Sequence, residues 1–384
     1  MRENEKKTGK NNRPIRILYI ADSTSIHTQR WLRYFSDKGY DIYLITIGRK
    51  RQTLPYARHV INFDQFYYDS PSFITTLFKT RRIIRSIRPD ILHAHFVHQY
   101  GWLGALSGFH PFVLTAWGTD ILKLPYASRL KIGKWLTRYA LKTADAVTVT
   151  SGAAKREAVA LGVSPEKITV IFWGVDTEKF RPDIDTRQIR SELGIPDGSP
   201  VILSNRSFAP LYNNDIIIEA MAGILAKHPA AVLILQNAGG YPGGEAVLKA
   251  KAEKMGILKS IRFLPAFDHD RLPPLYALAD IYVSVPSWDA GPVSLKEAMS
   301  CGCVPVISNI PGPMEWVKHE KNGLVVPVRD PDKLARAVCR LLSDPDMQGV
   351  FNKINRKLVL ERAGHASQMK QSEIIYHNLL SPLG

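Results

Sequence analysis

The sequence is poor in cysteine and has no long apolar segment, and both features exclude broad classes of protein. Its 384 residues include three cysteines, too few for a disulfide framework. No apolar run approaches the roughly 18 residues that a membrane-spanning helix needs. We therefore expect packed, reduced thiols in a cytoplasmic protein. Residues 1–13, polar and basic, are expected to form a disordered tail rather than a secretory signal.

Acidic residues are scarce in the first half of the chain, so the net charge is uneven. Residues 1–184 contain 29 Lys and Arg against 15 Asp and Glu, a net charge of +14. Residues 185–384 contain 22 against 20, a net charge of +2. A positive field of this kind attracts anionic partners such as a lipid surface, a polyphosphate acceptor or nucleic acid.

Apolar strand candidates alternate with helix candidates in both halves. In order, the clearest strands are RILYIAD, YDIYLITIG, DILHAHF, PFVLTAWGTD, VILSNRS, AVLILQNAGG, DIYVSVP and VPVISN. Repeated βαβ units predict parallel sheets with helices on both faces, and ligands bind at the carboxyl ends of such strands. We expect a first domain over residues 14–184, a second over 185–360, and a helix over 361–384 that packs back on the first. The stretch 56–73 is expected to be irregular.

The segment Trp288–Pro327 carries the most chemistry. It contains two acidic residues, Asp289 and Glu297, eight positions apart, with a small turn after the first and the helical run SLKEAMS around the second. A helix start presents unpaired backbone N–H groups that can hold a phosphate. Together with two carboxylates that accept hydrogen bonds from hydroxyls, this arrangement suits a nucleotide sugar. A buried strand–helix unit without a site is the alternative.

This segment resembles the donor-site signature of retaining glycosyltransferases of family 4. EAMSCGCVPV, from Glu297 to Val306, matches that signature almost fully. The resemblance extends over residues 14–360, weakly in the region 50–75, and includes PDILHAHF, LTAWGTD and SNRSFAPLYNND. The resemblance implies the GT-B fold, in which two Rossmann-like parallel-sheet domains face each other across a cleft.

The resemblance also implies roles for residues of the second half. Arg206 would hold the donor diphosphate, Glu297 the ribose hydroxyls, and Asp289 the hydroxyls of the transferred sugar. The chain departs from the family where Tyr212 replaces a lysine, where Asp289 replaces a glutamate, and where Pro292 removes a backbone N–H. The implied donor-binding set is Arg206, Tyr212, Asp289, Gly291, Val293, Ser294 and Glu297.

In the first half, Trp117-Gly118-Thr119-Asp120 stands where the family often has His-Gly-x-Asp. Asp120 would then lie near the reacting centre, although a helix-cap role fits equally well. ADSTSIHTQ replaces the family's glycine-rich first loop, which makes Ser23, Ser25 and His27 candidates for the acceptor site. The implied catalytic set is Asp289, Arg206 and Asp120, and the acceptor set is Ser25, His27, Trp117 and Asp120.

Two other patterns invite a cofactor interpretation. His93, His95 and His98 suggest a metal site, but no carboxylates stand at ligand spacing, so we expect a packed strand end and no metal. AGGYPGG, from Ala238 to Gly244, matches no complete nucleotide-binding fingerprint and is expected to be a turn after a strand. No cofactor is expected, because the nucleotide sugar is a co-substrate.

The segment Tyr126–Lys142 is a basic, aromatic helix candidate. Its helical wheel places Lys131, Lys134 and Arg138 beside an apolar face that contains Trp135. Such a helix can lie on an anionic membrane surface. The alternative is a helix that packs on the core and exposes only its basic side. KTRRIIRSIRPD, from Lys79 to Asp90, is a shorter candidate of the same kind.

Together these patterns predict a retaining glycosyltransferase that uses a nucleoside diphosphate sugar, expected to be a UDP-sugar. The expected acceptor is a glycan or lipid-linked intermediate of cell-surface polysaccharide synthesis, with the enzyme peripheral on the cytoplasmic face of the membrane. A nucleotide-sugar epimerase of GT-B shape is one alternative. A non-catalytic polyanion-binding protein is another, although no nucleic-acid motif is present and no nucleic-acid partner is expected.

Overall fold

The computed structural model of the chain describes residues 13–48, 53–64, 71–122, 131–266 and 268–381, without the side chains of Leu122 and Lys131. Almost all of the basic tail expected at residues 1–13 therefore lies outside the described residues. The chain forms two compact units. The first unit runs to Trp173 and includes the residues from Gln368 onwards, and the second comprises Gly174–Ser367.

The first unit is built on a seven-stranded parallel sheet with the order β3-β2-β1-β4-β5-β6-β7. Its strands are β1 (Arg16–Ile20), β2 (Asp41–Ile47), β3 (His59–Phe63), β4 (Ile91–His95), β5 (Phe112–Ala116), β6 (Ala146–Val149) and β7 (Ile168–Val170). The connecting helices are α1 (Ile26–Asp37), α2 (Pro71–Ile87), α3 (Trp102–Ser107), α4 (Thr119–Leu122), α5 (Lys131–Thr143) and α6 (Gly152–Ala160).

The second unit has a six-stranded parallel sheet with the order β10-β9-β8-β11-β12-β13. Its strands are β8 (Val201–Asn205), β9 (Val232–Gln236), β10 (Ile261–Leu264), β11 (Ile281–Ser284), β12 (Val304–Ser308) and β13 (Leu324–Val326). Its helices are α7 (Arg187–Glu192), α8 (Asn214–Leu225), α9 (Gly244–Lys254), α10 (Leu272–Leu278), α11 (Val293–Ser300), α12 (Pro311–Met314), α13 (Pro331–Leu342) and α14 (Pro345–Ala363). The last helix, α15 (His365–Leu380), begins here and continues in the first unit.

Both sheets are buried because their strands are apolar on both faces. β5 and β8 are buried along their whole length, as central strands of a parallel sheet covered by helices must be. Each unit has its own apolar core. The α/β class with two parallel sheets, predicted from the strand–helix alternation, is confirmed.

Each sheet has one point where the strand order reverses. In the first sheet this point lies between β1 and β4, and in the second it lies between β8 and β11. Loops that leave two neighbouring strands in opposite directions open a crevice at the carboxyl edge, and ligands of such sheets bind there. The loops after β1, β4, β8 and β11 are therefore the ones that position a site.

Residues 65–70 of the stretch that the sequence predicts to be irregular, 56–73, lie outside the described residues, and the rest of that stretch is more ordered than expected. β3 occupies residues 59–63 as an edge strand beside β2, and α2 begins at Pro71, eight residues before the basic helix expected from Lys79. The strand was missed because HVINF, half-buried after its exposed first residue, shows no alternation of apolar and polar residues. No helix within the described ranges combines the length and the apolarity that a bilayer crossing requires.

The C-terminal residues of the first unit are held by Tyr376 on α15. Its side chain is buried, and its ring lies 4.7 Å from the ring of Phe35. Its hydroxyl is 3.1 Å from the Tyr19 hydroxyl and accepts a hydrogen bond of 3.3 Å from Trp31 Nε1. These contacts satisfy the polar atoms of a buried tyrosine, so α15 is fixed on α1 and β1.

Candidate functional site

A cluster of charged residues lies at the carboxyl edge of the second sheet, where the strand order reverses. Arg206 follows β8 directly, and Asp289 lies in the loop between β11 and α11. β8 and β11 are neighbours in register, with Ile202 opposite Ile281. Two residues 83 positions apart in sequence are thus brought together by the sheet topology.

Arg206 is held by three groups. Its guanidinium forms an ion pair with Asp289 in which both side chains are largely buried, and it donates a hydrogen bond of 3.0 Å to Ser294 Oγ. It also stacks 4.5 Å above the centre of the Tyr212 ring. Burial acts to lower the pKa of Arg206, but Asp289, Tyr282 and Tyr212 together outweigh it and raise that pKa, so the guanidinium stays charged.

The turn between Asp289 and α11 is closely packed. Asp289 Oδ1 accepts a hydrogen bond of 3.1 Å from the backbone N–H of Gly291. Gly312 of α12 lies against the backbone of Asp289 and Ala290, so closely that a Cβ there would overlap their atoms. The turn therefore depends on Gly312, a residue that the sequence interpretation missed because it stands 23 positions after Asp289.

α11 begins at Val293 immediately after Pro292, which offers no side-chain acceptor for the first-turn N–H groups. Val293 and Ser294 are half-buried in this first turn. Ser294 Oγ accepts hydrogen bonds from Arg206 and, at 2.8 Å, from the Tyr282 hydroxyl. The helix start that the sequence predicts after the turn is therefore present, and it lies beside the Arg206–Asp289 pair.

Glu297 lies three positions after Ser294 on the same side of α11. Its buried carboxylate accepts hydrogen bonds from His269 Nε2 at 2.8 Å and from the Tyr276 hydroxyl at 3.3 Å. Burial, followed by the Glu297 charge, raises the pKa of Tyr276, so its hydroxyl remains a donor. The sequence interpretation missed His269, and no motif marks it; its position shortly after β10, at the carboxyl edge, is the only signal.

At the corresponding edge of the first sheet, the residues that come together are aromatic. Ser25 precedes α1 as its N-cap residue, and His27 lies in the first turn of that helix. The His27 ring is 4.9 Å from the ring of Trp173 and 5.9 Å from that of Trp117. Ser23 is buried, and its backbone N–H donates to Thr46 Oγ1 at 3.0 Å. Of the acceptor candidates, His27 and Trp117 are thus neighbours.

Asp120 is completely buried, and its carboxylate faces the backbone. It accepts hydrogen bonds from the N–H groups of Val97, Trp117 and Gly118 at 2.7–3.2 Å. Burial raises its pKa to about 6, against the opposing effect of these backbone bonds. The geometry supports a role in fixing the turn that carries Trp117, and a role near the reacting centre stays a prediction.

The three histidines around β4 are packed among other side chains. His93 is within 2.6 Å of Thr115 Oγ1 and also contacts the Tyr376 hydroxyl. His95 lies among the rings of Tyr19, Trp31 and Trp173, and burial, then nearby His27, lowers its pKa to about 3. Over the described ranges, no three His, Cys, Asp or Glu side chains are placed to hold a metal ion.

α5 exposes part of its apolar surface. Leu136 is buried on the core, but Trp135 is 59% exposed and stacks on Tyr139 with their ring centres 5.3 Å apart. Lys134 and Arg138 are exposed on the same helix. Residues 126–130 and the side chain of Lys131 lie outside the described residues. The helix therefore packs on the core and also presents an aromatic, basic surface.

Comparison with known proteins identifies relatives of both units. The sequence profile described as glycosyl transferase 4-like matches residues 16–151, and the one described as glycosyl transferases group 1 matches residues 185–358. The chain is 28% identical over 279 residues to a D-inositol 3-phosphate glycosyltransferase of Jonesia denitrificans. That alignment covers 67% of this chain and 65% of the relative, so the chain spans less than two thirds of the relative's length.

Solved structures share the fold over almost the whole chain. A protein of Anabaena in complex with UDP-glucose superposes with a TM-score of 0.80 at 18% identity, covering 95% of this chain and 100% of that one. WaaG, a glycosyltransferase involved in lipopolysaccharide biosynthesis, superposes with a TM-score of 0.73 at 14% identity, covering 94% and 99%. The family resemblance seen in the sequence is thus confirmed: this chain belongs to the group 1 glycosyltransferases of family 4 and has the GT-B fold.

Proposed function

We propose that the chain is a retaining glycosyltransferase that takes its sugar from a nucleoside diphosphate sugar, and that the donor is a UDP-sugar. The observation that carries the proposal is the charged cluster at the carboxyl edge of the second sheet. It combines a largely buried arginine at the end of β8 with a helix start and two carboxylates, which lie within one turn and one helix. The UDP-glucose bound by the Anabaena protein of the same fold supports the choice of donor.

In this proposal, different residues of the cluster bind different parts of the donor. Arg206 and the first turn of α11 bind the diphosphate, because both present positive charge and N–H donors. Glu297 accepts hydrogen bonds from the ribose hydroxyls, and Asp289 accepts them from the sugar. Tyr212, Gly291 and Val293 shape the surface around the diphosphate. The family resemblance implies this division, and the hydrogen-bonding capacity of Arg206, Glu297 and Asp289 is compatible with it.

The reaction proposed here needs no enzymatic nucleophile. A double displacement would require a carboxylate free to attack the anomeric carbon. Asp289 is ion-paired with Arg206, and Asp120 is bonded to backbone N–H groups, so neither carboxylate is free. We infer that the sugar leaves and is attacked on the same face, and that the departing diphosphate accepts the acceptor's proton. Catalysis then rests on positioning and on electrostatic stabilisation of the leaving group.

The proposed acceptor is a glycan or lipid-linked intermediate of a cell-surface polysaccharide, and the chain is proposed to work at the cytoplasmic face of a membrane. The exposed Trp135–Tyr139 pair beside Lys134 and Arg138 supports attachment to anionic lipid. The first half contains 29 basic and 15 acidic residues, and this excess of positive charge also supports attachment to anionic lipid.

A thermal-shift panel of nucleoside diphosphates and their sugars tests the donor. UDP-sugars should raise the unfolding temperature more than ADP- or GDP-sugars, because a ligand that binds only the folded state stabilises it by mass action. The donor should then be hydrolysed slowly without acceptor, and NMR of the transferred sugar should show a retained anomeric configuration. Interconversion of the free nucleotide sugar would instead support an epimerase.

Liposome sedimentation tests the membrane proposal. The double variant Lys134→Glu with Arg138→Glu should lose binding to anionic vesicles. Arg336→Glu with Arg340→Glu is the matched control, since both arginines are exposed, have the same spacing on α13, and lie on a helix that exposes no aromatic residue. Equal sedimentation of both variants would contradict attachment through α5.

A further inference from the structure

Lys296 is a fully buried lysine on α11, between Leu295 and Glu297. An ammonium group has three N–H donors. Lys296 uses one of them, for a hydrogen bond of 3.3 Å to the carbonyl of Gly291, and its Nζ lies 5.1 Å from the centre of the Trp316 ring. Across the described ranges it forms no ion pair within 4.0 Å. A buried cation with so few partners is unusual, because burying a charge without a counter-charge costs free energy.

The surroundings of Lys296 decide its charge. Burial is the main influence and lowers its pKa, while Asp289, Glu297 and Glu315 oppose that effect and leave the pKa at about 8. These three carboxylates come from the turn before α11, from α11 itself and from the residue after α12. On the α14 side, the guanidinium of Arg362 lies 4.8 Å from the same Trp316 ring. Lys296 is therefore protonated at neutral pH and loses its proton as the pH rises through about 8.

At the proposed donor site, the chain lacks the second cation that a lysine supplies in the family. Tyr212 stands where the family's lysine is expected, and its ring supports Arg206 without supplying charge. Arg206 is itself ion-paired with Asp289, so that carboxylate already neutralises much of the guanidinium charge. Lys296 is bonded to the Gly291 carbonyl of the turn that also contains Asp289, and its charge interacts with those of Asp289 and Glu297.

We propose that Lys296 is a positioning residue of the donor site, and that its ammonium serves the diphosphate in two ways. It holds the Gly291 carbonyl, and thereby the turn in front of α11. It also supplies a second buried positive charge for the diphosphate of the nucleotide sugar, in place of the charge missing at Tyr212. The inference rests on the proposed function, because it assumes that a nucleoside diphosphate binds beside Arg206.

The test compares two ligands that differ by the diphosphate. UDP and uridine are titrated by NMR into the full-length wild type, into Lys296→Met, and into the control Lys333→Met on α13, whose lysine is exposed. We expect UDP to bind Lys296→Met about tenfold more weakly, because a charge acting through a protein of effective dielectric about 20 contributes on this order. The affinity of Lys296→Met for uridine should change less than twofold. Lys333→Met should bind both ligands with the affinity of the wild type.

The wild type supplies a second measurement that does not depend on the folding of a variant. Its affinity for UDP, relative to uridine, should fall between pH 7 and pH 8.5, as Lys296 loses its proton. In Lys296→Met and in Lys296→Arg this relative affinity should not follow that change, because one side chain is never charged and the other stays charged.

The outcomes separate this inference from the proposed function. A parallel loss of UDP and uridine binding in Lys296→Met, or no loss of either, would overturn the role of Lys296 and leave the donor assignment intact. If the wild-type affinity for UDP relative to uridine does not change with pH, the role of Lys296 is overturned too. Failure of the wild type to bind UDP, or any nucleoside diphosphate, would overturn the proposed function and this inference with it.

Discussion

At the point where the strand order of the second sheet reverses, the side chains are charged and ion-paired, whereas at the same point of the first sheet they are aromatic. The second edge has Arg206 paired with Asp289, and Glu297 bonded to His269. The first edge brings the rings of His27, Trp117 and Trp173 within 6 Å of one another. Two sheets of similar topology thus offer different chemistry at equivalent places.

The difference teaches how each edge can recognise a ligand. Charged groups need nearby partners of opposite sign when buried, so the second edge is suited to an anionic ligand that exchanges hydrogen bonds with carboxylates. Aromatic rings present apolar faces with polar margins, so the first edge is suited to a neutral ring stacked against them. The net charge of the first half is carried elsewhere, on surfaces such as that of α5. The predictions below test this contrast from the largest expected effect to the smallest.

Removing Arg206 should have the largest effect on ligand binding. In Arg206→Ala, Asp289 remains as a buried carboxylate without its cation, and it then repels the diphosphate. Truncating one partner of a hydrogen-bonded charge pair between two binding partners costs about 3 kcal/mol of binding free energy, so UDP should bind about 100-fold more weakly by calorimetry. Arg340→Ala is the control, because its pair with Glu320 is half-exposed. Similar UDP affinities for the two variants would contradict the charged edge as the donor site.

The aromatic edge should instead affect how the free energy of unfolding depends on pH. Unfolding exposes His95, which then takes up a proton as the pH falls through about 6.5, whereas the folded chain resists protonation until its pKa of about 3. The contribution of His95 to stability is therefore complete above pH 6.5 and is lost on acidification. The raised pKa of Asp120 acts in the opposite direction below pH 6 and is common to all variants.

His95→Phe should remove this dependence while keeping the ring contacts. Between pH 6.5 and pH 5 the wild type should lose about 2 kcal/mol more stability than the variant, as measured by urea unfolding with tryptophan fluorescence. His59→Phe, which removes an exposed imidazole from the same unit, is the control. Parallel pH profiles for the wild type and His95→Phe would mean that His95 is not held neutral.

Glu297→Gln should weaken nucleotide binding about tenfold, since a hydrogen bond to a charged group contributes about 1.5 kcal/mol. The loss should be confined to nucleotides with ribose hydroxyls. UDP should therefore bind the variant more weakly, while 2′,3′-dideoxy-UDP should bind the wild type and the variant alike. An equal loss for both nucleotides would assign Glu297 to packing with His269 and Tyr276 instead.

The two edges also differ in how far the sequence alone could predict them. In the second unit the turn after β11 and the helix that carries Glu297 are contiguous, so one segment of sequence encodes both carboxylates and the helix start. Arg206, His269 and Gly312 come from elsewhere, and so do the tyrosines that contact the cluster; resemblance to the family supplied Arg206. In the first unit the rings come from α1, β4 and the loops after β5 and β7, and no local pattern links segments so far apart.

Burial could not be read from the sequence either. The pattern around Glu297 predicts a helix but gives no reason to expect that the lysine before it is fully buried, because a lysine in an amphipathic helix is normally solvated. Similarly, Leu136 and Trp135 are adjacent apolar residues of α5, yet one is buried and the other is exposed. Which apolar residue faces the core depends on how α5 is placed on the sheet, which is a tertiary property.

Trp117 provides the smallest and most specific test of the contrast. Its backbone N–H is bonded to Asp120, so Trp117→Ala should remove the ring without disturbing the turn. Loss of one stacking surface costs about 1 kcal/mol, and the KM for a soluble acceptor should therefore rise about fivefold with UDP affinity unchanged. Trp135→Ala, at the exposed tryptophan of α5, should do the reverse: normal KM for the soluble acceptor, but weaker sedimentation with anionic vesicles. If Trp117→Ala instead weakens UDP binding as much as acceptor binding, the aromatic edge does not recognise the acceptor separately from the donor.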